Sequence, residues 1–293
     1  DGFRFFAPKL RAFDMSQAEP SISQPKFRPR DARTVLVDAS GYIFRAYYGL
    51  PALSNEAGRP TQATFGFLKM LGRLVQSIEP ERLVLAFDTA APTFRKEFYS
   101  EYKANRPPPP PDLIPQFEDI QSLVNFLGIA SVAIPGYEAD DVIATLASQA
   151  KTSGHYPVIV VSSDKDLLQL VDPHVQVWDT LKNVIYNAEE VRKKMGVGPE
   201  EIPDYLGLVG DSSDNIPGVR GIGRKSAIAL VQQFGLIEDI FASAAKAPPR
   251  CVKKLQAEGA REQAILSRRL ARVCHETPLP KDLPDLWAHP RND

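Results

Sequence analysis

The chain has 293 residues, of which 43% are hydrophobic and 24% are charged, and its formal net charge is −1. This composition is ordinary for a soluble globular protein and leaves room for one large domain or two modest ones. No apolar run approaches the roughly eighteen residues that a membrane-spanning helix needs, and Cys251 and Cys274 lack the spacing of a zinc site or a disulfide framework. We therefore expect reduced thiols and no association with a membrane.

The first segment, residues 1–33, is rich in Pro, Ser, Gln and Arg and shows no sustained hydrophobic periodicity. It is predicted to be a flexible leader. An organellar transit peptide is the alternative, but Asp14, Glu19 and Asp31 make the segment richer in acids than such peptides usually are.

Three short apolar runs predict buried strands, and each is followed by an aspartate. The runs are residues 35–37, 83–87 and 157–161, and the aspartates are Asp38, Asp88 and Asp164. Segments with helical spacing lie between them, from about Gln116 to Leu127 and from Ala139 to Gln149, which predicts an α/β fold with a parallel sheet covered by helices. Since such sheets place their sites beyond the carboxyl ends of the strands, the three acids are expected to share one crevice. Helix capping explains any one of them, but it explains all three less well.

Further acids follow in three places. Glu138, Asp140 and Asp141 open a predicted helix, where the helix macrodipole favours each by only about 0.3–1 kcal/mol and their mutual repulsion calls for cations. Asp166 and the pair Asp211 and Asp214 complete the set. These nine carboxylates together are what two hard divalent cations require. If they lie in one site, the rest of the chain carries a net positive charge that suits a polyanionic partner.

A basic and aromatic segment runs from Thr93 to Pro111. Its basic residues are Arg95, Lys96, Lys103 and Arg106, its aromatic residues are Phe94, Phe98, Tyr99 and Tyr102, and five prolines follow. One interpretation is a solvated amphipathic helix. The other is a surface for single-stranded nucleic acid, which is held by phosphate pairing and base stacking.

A glycine-rich turn precedes a helix predicted from Lys225 to Phe234. It contains Gly218, Gly221 and Gly223 and leads into Arg224, Lys225 and Ser226. The spacing approaches a nucleotide-binding P-loop, but the lysine is one place late and no strand precedes the turn, so ATP is kept only as a weak alternative. The free amides of the helix N-terminus still predict an anion site.

The last predicted helices carry apolar stripes from Leu236 to Phe241 and from Ala264 to Val273. Four arginines flank the second stripe: Arg261, Arg268, Arg269 and Arg272. A solvated helix face is the simpler explanation for them.

Four motifs together resemble one family. They are YEADDV, SSDKDLLQLV, YKANRP and GDSSDNIPGVRGIGRKSA, and the match runs from about Thr34 to about Pro280. The chain resembles the 5′-nuclease domain of bacterial DNA polymerase I, a member of the flap endonuclease family. The resemblance implies a PIN-like α/β core at residues 34–205 with a helical arch at about 92–115. It also implies a helical duplex-binding subdomain of helix-two-turn-helix type at 206–285 and a tail at 286–293.

The resemblance also implies roles for individual residues. One metal cluster would use Asp38, Asp88, Glu138 and Asp140 with Asp141 close by; a second would use Asp166, Asp211 and Asp214, and Asp164 would lie between the two. Lys103 and Arg106 would meet the scissile phosphate, and Tyr102 would help to place the strand. Arg95 and Lys96 would bind DNA, as would the turn with its helix start, Gly218, Gly221, Gly223, Arg224, Lys225 and Ser226. Many relatives carry His where this chain has Lys96, so the role of that position is open.

The function implied is that of a 5′→3′ exonuclease and flap endonuclease that uses two Mg²⁺ or Mn²⁺ ions, with K⁺ at the glycine turn. Its substrates would be DNA with 5′ ends or flaps and RNA primer junctions, and it would act as a monomer in the bacterial cytoplasm. A polymerase would work in cis or in trans, according to whether the chain is a fragment of polymerase I or a free-standing nuclease. The alternatives are a PIN-type ribonuclease, which needs no duplex-gripping turn, and a non-catalytic DNA-binding module.

Overall fold

The computed structural model describes residues 27–280. Most of the predicted leader (1–33) and the whole of the predicted tail (286–293) lie outside the described residues. The strands are β1 (Thr34–Asp38), β2 (Arg82–Ala86), β3 (Ala130–Val132), β4 (Val158–Val161), β5 (Val175–Asp179) and β6 (Val184–Tyr186). The helices are α1 (Ala39–Gly49), α2 (Gln62–Ile78), α3 (Arg95–Phe98), α4 (Ile114–Phe126), α5 (Ala139–Thr152), α6 (Ala188–Met195), α7 (Ile202–Val209), α8 (Arg224–Phe234), α9 (Ile237–Ala242), α10 (Pro249–Leu255) and α11 (Ala260–Ala271).

The described strands form one six-stranded sheet in the order β3-β2-β1-β4-β5-β6. All neighbouring pairs are parallel except β5 and β6, which are antiparallel. The predicted α/β class is therefore confirmed. The three apolar runs form β1, β2 and β4, the central strands, while β3, β5 and β6 were not predicted.

Helices cover both faces of the sheet. Side chains alternate along a strand, so Val35 and Val37 of β1 pack with α1, α2 and α4, whereas Leu36 packs with α5 on the opposite face. All three side chains are fully buried. Burial on both faces explains why the central strands are continuous apolar runs without polar alternation.

The helices from α7 to α11 continue the core on the α5 side of the sheet. Leu206 of α7 and Leu270 of α11 belong to the same buried cluster as Val142 and Leu146 of α5. A side chain at Gly207 would meet Ile237 Cδ1 at 2.5 Å and the Ala264 carbonyl oxygen at 2.9 Å, so glycine permits the close approach of α7 to α11. The boundary predicted between residues 205 and 206 falls within α7.

Among residues 27–280, no helix combines the length and apolar character needed to cross a lipid bilayer.

Candidate functional site

Two of the three aspartates at the carboxyl edge of the sheet, Asp38 and Asp164, are linked through Ser162. Asp38 caps α1 by accepting from the Gly41 amide at 2.8 Å, and its other oxygen accepts from Ser162 Oγ at 2.9 Å. Ser162 Oγ in turn accepts from the Asp164 amide at 3.0 Å. Asp88 accepts from the amide of Ala139, in the first turn of α5, at 2.9 Å. The structure therefore brings these acids to one edge, and two of them also serve the helix starts that the capping explanation invoked.

Glu138 and Asp214 form the second part of the site, and they share two partners although 76 positions separate them. The Tyr102 hydroxyl donates to Glu138 at 3.1 Å and lies 3.3 Å from Asp214. Lys103 Nζ lies 2.7 Å from Glu138 and 3.7 Å from Asp214, and the Arg106 guanidinium also binds Asp214. Both carboxylates are buried. The basic segment therefore closes over the acids and contacts them directly.

Asp166 and Asp211 lie around the loop that follows β4. The Asp166 amide donates to Asp164 at 2.8 Å, and Lys165 Nζ lies 2.6 Å from Asp211. Ser213 donates to Asp211 through both its amide and its hydroxyl. One oxygen of Asp166, Oδ1, is buried and has no hydrogen-bond partner among the described residues. A buried carboxylate oxygen without a partner is costly unless a cation or water binds it.

Burial and mutual repulsion shift the titration of this group of acids. Burial raises the pKa of Asp38 to about 6, and the charges of Asp88 and Asp164 act in the same direction. Burial also raises the pKa of Asp140, reinforced by the charges of Asp164 and Asp38. The pKa of Asp166 is raised by burial and by Asp164. The side chains are therefore close enough to oppose one another's ionisation.

Attraction between the lysines and the acids, in contrast, stabilises the charged forms of both. Burial disfavours the ammonium form of Lys103, but the charges of Glu138 and Asp214 outweigh it and raise the Lys103 pKa. Burial would raise the pKa of Asp211, but hydrogen bonds from Lys165 and Ser213 lower it. In the described part of the chain, no three carboxylates are already arranged as metal ligands. The donor set nevertheless fits hard divalent cations, because it consists of carboxylates, one of which leaves a buried oxygen unsatisfied.

Asp141 differs from the other acids. Arg95 binds both of its oxygens, at 2.7 and 2.8 Å, and the amides of Glu138 and Cys274 donate to it as well. Asp141 is 0% exposed and Arg95 is 2% exposed. The two side chains therefore satisfy each other inside the protein, and the roles expected of Asp141 toward a metal and of Arg95 toward DNA stay predictions. Arg95 offsets part of the repulsion among the acids at the start of α5.

The basic segment also differs from the predicted arch in form. Within residues 92–115, the α-helical residues are the four of α3 and the first two of α4, and turns occupy residues 100–105. Tyr102 is 2% exposed, and its hydroxyl is directed at Glu138 and Asp214. The expectation that Tyr102 helps to place the strand stays a prediction. Lys96 is exposed, as expected for a residue that binds DNA.

The glycine turn lies at the start of α8, as predicted. Gly223 is the N-cap residue of this helix, and Gly221, Arg224 and Lys225 are exposed. Gly218 is the exception. It is buried, and its amide already donates to Ser267 Oγ at 3.0 Å, so this amide is engaged within the protein and the expected contact of Gly218 with DNA stays a prediction.

Two family models together cover the chain from residue 33 to its end. Residues 33–196 match the 5′-3′ exonuclease N-terminal resolvase-like domain, and residues 197–293 match the 5′-3′ exonuclease C-terminal SAM fold. The chain belongs to the 5′-3′ exonuclease family. The resemblance drawn from the four motifs is thereby confirmed, as is the nuclease class that it implied.

Curated relatives of the exonuclease are of two lengths. The DNA polymerase I of Bacillus caldotenax is 41% identical over 258 residues, which cover 87% of this chain and 29% of that protein. The 5′-3′ exonuclease of Aquifex aeolicus is 43% identical over 206 residues, which cover 70% of this chain and 71% of that protein. The chain thus spans less than a third of the length of its polymerase relatives and most of the length of a shorter one.

A solved structure shares the fold of the exonuclease. The bacteriophage T5 flap endonuclease, crystallised as a complex with DNA and metal ions, matches 81% of this chain and 88% of that chain with a TM-score of 0.68. The sequence identity is 20%, so this likeness concerns the fold.

Sequence reasoning missed several residues of the exonuclease site. Ser162 joins Asp38 to Asp164, and Lys165 neutralises Asp211. Asn105 donates to the Ser212 carbonyl and Asn215 donates to the Glu101 carbonyl, both at 2.7 Å, so these amides fix the basic segment against the Asp211–Asp214 loop. Ser162 and Lys165 belong to the SSDKD string that follows a predicted strand. Their position beside Asp164 and Asp166 could have indicated that they contribute to the site. Nothing in the sequence indicated the two asparagine contacts.

Proposed function

We propose that the exonuclease hydrolyses phosphodiester bonds near 5′ ends of DNA, as a structure-specific 5′→3′ exonuclease and flap endonuclease. The observation that carries this proposal is the contact between two sets of groups. Lys103, Arg106 and Tyr102 of the basic segment bind Glu138 and Asp214, and these acids lie beside the carboxylates of the sheet edge. Basic side chains that contact carboxylates in this way can leave them and bind a phosphate group instead.

The acids are proposed to hold two divalent cations, Mg²⁺ or Mn²⁺. Asp38, Asp88, Glu138 and Asp140 would serve one, with Asp141 close by. Asp166, Asp211 and Asp214 would serve the other, and Asp164 would lie between the two. The T5 flap endonuclease of the same fold was crystallised with metal ions. Such ions, when bound, lower the pKa of a coordinated water and stabilise negative charge on a phosphate.

The side chains of the exonuclease would then act on the substrate itself. Lys103 and Arg106, once released from Glu138 and Asp214, would donate to the oxygens of the scissile phosphate as charge builds on them. Tyr102 would hold the side chains of Glu138 and Asp214 close to each other through its hydroxyl. Because Tyr102 is only 2% exposed, its apolar ring would exclude water from the floor of the site.

The start of α8 is proposed to hold the uncleaved duplex. The exposed amides of the helix N-terminus and the side chains of Arg224 and Lys225 suit a phosphate backbone, and K⁺ at the turn would add to this. The segment from Asp211 to Gly218 connects this grip to the acids, since Asp211 pairs with Ile216 across a short turn. The position of the gripped backbone would thereby select the phosphate that reaches the site.

The setting of the reaction follows from the relatives. We propose DNA flaps, nicked duplexes and RNA primer junctions as substrates, a polymerase in cis or in trans as the partner, and a monomer in the bacterial cytoplasm as the working form. The division of labour between an α/β nuclease core and a helical duplex-binding subdomain is part of this proposal.

The first test is hydrolysis of a duplex carrying a 5′ flap, with Mg²⁺ and then with excess EDTA. We expect cleavage that chelation abolishes and Mg²⁺ restores. In the same assay, Lys103→Ala should lower kcat by about 10²–10³-fold, the usual loss for one donor to a developing negative charge. Lys193→Ala, which removes an exposed lysine paired with Glu189, is the matched control and should leave kcat unchanged. Cleavage that persists in EDTA would refute the proposal.

A second substrate distinguishes the proposed activity from that of a PIN-type ribonuclease. Single-stranded RNA offers no duplex for the basic turn. We therefore expect flap DNA to be cleaved with the higher kcat/KM, and a preference for single-stranded RNA would favour the ribonuclease.

A further inference from the structure

A basic pocket lies where the carboxyl-terminal half of α11 meets the start of the basic segment. We call it the α11 pocket. Its volume is about 380 Å³, and it is lined by Phe94, Ile265, Arg268, Arg269, Arg272, Val273 and Cys274. None of these residues was assigned to the nuclease site above.

The charges in the α11 pocket are unevenly neutralised. Arg268 is paired with Asp204 at 2.9 Å and with Glu238 at 2.5 Å. Arg269 and Arg272 are exposed, and no carboxylate among the described residues lies within ion-pair distance of either. Two neighbouring guanidinium groups without acidic partners favour an anionic ligand.

Aromatic rings lie beside these two arginines. The Arg269 guanidinium carbon stands 3.8 Å from the centre of the Phe98 ring, which holds the side chain in a stacked position. Phe94 packs against Phe98 and Tyr137, with ring centres 6.2 and 5.4 Å apart, and all three rings are partly exposed. Arginines beside partly exposed rings suit phosphates joined to unpaired bases.

One guanidinium group separates the α11 pocket from the nuclease site. Arg95 approaches Glu138 at 3.6 Å on one side, and on the other it donates to the Arg272 carbonyl at 3.0 Å. Phe94, its neighbour in sequence, lines the pocket. A strand that reached the acids could therefore continue into the pocket along the outside of α3.

We propose that the α11 pocket binds the single-stranded 5′ flap of the substrate, beyond the phosphate that is cut, through Arg269, Arg272 and the ring of Phe94. Unpaired bases can stack on an aromatic ring, whereas the bases of a duplex are already stacked on one another, so the rings favour a single strand. This inference rests on the proposed function, because it assigns part of the same substrate.

The test measures binding separately from cleavage. Fluorescence anisotropy in EDTA compares a nicked duplex with the same duplex carrying a 5′ flap of ten thymidines. We expect the wild type to bind the flap substrate more tightly, and Arg269→Ala/Arg272→Ala to reduce this flap-dependent gain in affinity by about tenfold. The salt dependence of the flap-dependent gain should also weaken, by roughly 0.7 in logarithmic slope for each phosphate that the variant no longer binds.

Matched variants make the result specific. Arg73→Ala removes an exposed arginine of α2 and should leave the gain unchanged. Phe94→Leu keeps the apolar volume but removes the ring, and it should reduce the gain with the arginines intact. If the double alanine variant fails to fold by circular dichroism, Arg269→Lys/Arg272→Lys and Phe94→Leu carry the test, and each should show a partial loss.

Three results would overturn the inference: no flap-dependent gain in the wild type, a gain that survives the pocket variants, or an equal loss on both substrates. The last would indicate general attraction to DNA or, if an acidic peptide competed better than the flap, a protein ligand. Hydrolysis of the flap substrate with Mg²⁺ is measured separately. The proposed nuclease function is therefore tested by cleavage, and the role of the α11 pocket by binding.

Discussion

At the scale of single residues, Arg95 shows that an arginine in a basic segment can be bound almost entirely by groups within the protein. Its guanidinium donates to Asp141 twice and to the carbonyls of Leu270 and Arg272. Desolvation would lower its pKa, but the paired carboxylates outweigh this and keep the group charged. Its role is to hold three segments of the chain together.

Replacing Arg95 with Ala should destabilise the protein by about 3–5 kcal/mol, because Asp141 would be left as a buried charge without a partner. Urea denaturation followed by circular dichroism measures this loss. The double variant Arg95→Met/Asp141→Leu removes both charges and should be clearly more stable than Arg95→Ala. Equal losses in the two variants would show that the pairing itself is not what stabilises this position.

The sequence carried little information on this residue. Arg95 and Lys96 are adjacent and chemically alike, yet one is buried and the other exposed. The difference depends on Asp141, which is 46 positions away in the sequence, and on the carbonyl groups of Leu270 and Arg272, which are 175 and 177 positions away. The strand-end acids were more predictable, because their place after apolar runs is a local pattern and the edge of a parallel sheet is a common location for sites.

At the scale of elements, the loop between α7 and α8 is closed by two glycines in backbone contact. A side-chain carbon at Gly218 would lie 2.5 Å from the Val209 carbonyl carbon and would also collide with the Gly210 amide. Both glycines have positive φ, +74° at Gly210 and +62° at Gly218. Neither contact can relax by rotation of a side chain, since the colliding atoms are backbone.

Gly218→Ala should therefore lower the free energy of unfolding by more than 1 kcal/mol, and by more than Gly223→Ala does. Gly223 is the matched control. Its φ is −95° and nothing lies within 4 Å of an added side-chain carbon. Thermal melting of the two variants is the measurement, and similar melting temperatures would show that the glycine contact is not needed. The sequence predicted a glycine-rich turn before α8, but it did not show which glycines are in backbone contact and which face solvent.

At the scale of the whole molecule, the collected acids oppose folding when no metal ion is bound. The folded-state pKa of Asp140 is raised, chiefly by burial, so its ionised form is less stable in the folded protein than in the unfolded chain. The penalty is absent below the unfolded pKa of about 3.9, develops as the pH rises toward the folded pKa, and is complete above it.

Asp140→Asn should therefore be more stable than the wild type at pH 7 in EDTA, by an amount on the order of 1 kcal/mol, and the difference should vanish as the pH falls to about 4. Mg²⁺ should raise the melting temperature of the wild type more than that of the variant. Differential scanning calorimetry at several pH values, with and without Mg²⁺, follows both effects. A variant less stable than the wild type at pH 7 in EDTA would contradict this account.

The whole fold was predictable to different degrees. β1, β2 and β4 are buried on both faces and are visible as apolar runs. β3 and β6 have three residues each, too few to show a period, and β5 interrupts its apolar residues with Gln176. Pairing with neighbouring strands, rather than a local sequence pattern, therefore defines β3, β5 and β6. The same pairing makes β6 antiparallel to its neighbour, unlike the other described strands.

The Arg95–Asp141 pair also determines whether the molecule can be divided. The two family models meet between residues 196 and 197, which invites expression of each part alone. Arg95 and Asp141 belong to the first part, but the Leu270 and Arg272 carbonyls and the Cys274 amide that complete their bonding belong to the second. A first part made alone would lack these partners of the ion pair, and it would lack the residues that α7 and α11 add to the buried cluster containing Val142 and Leu146 of α5. We therefore expect the two parts to fold as one unit, because residues of the second part anchor the start of the basic segment.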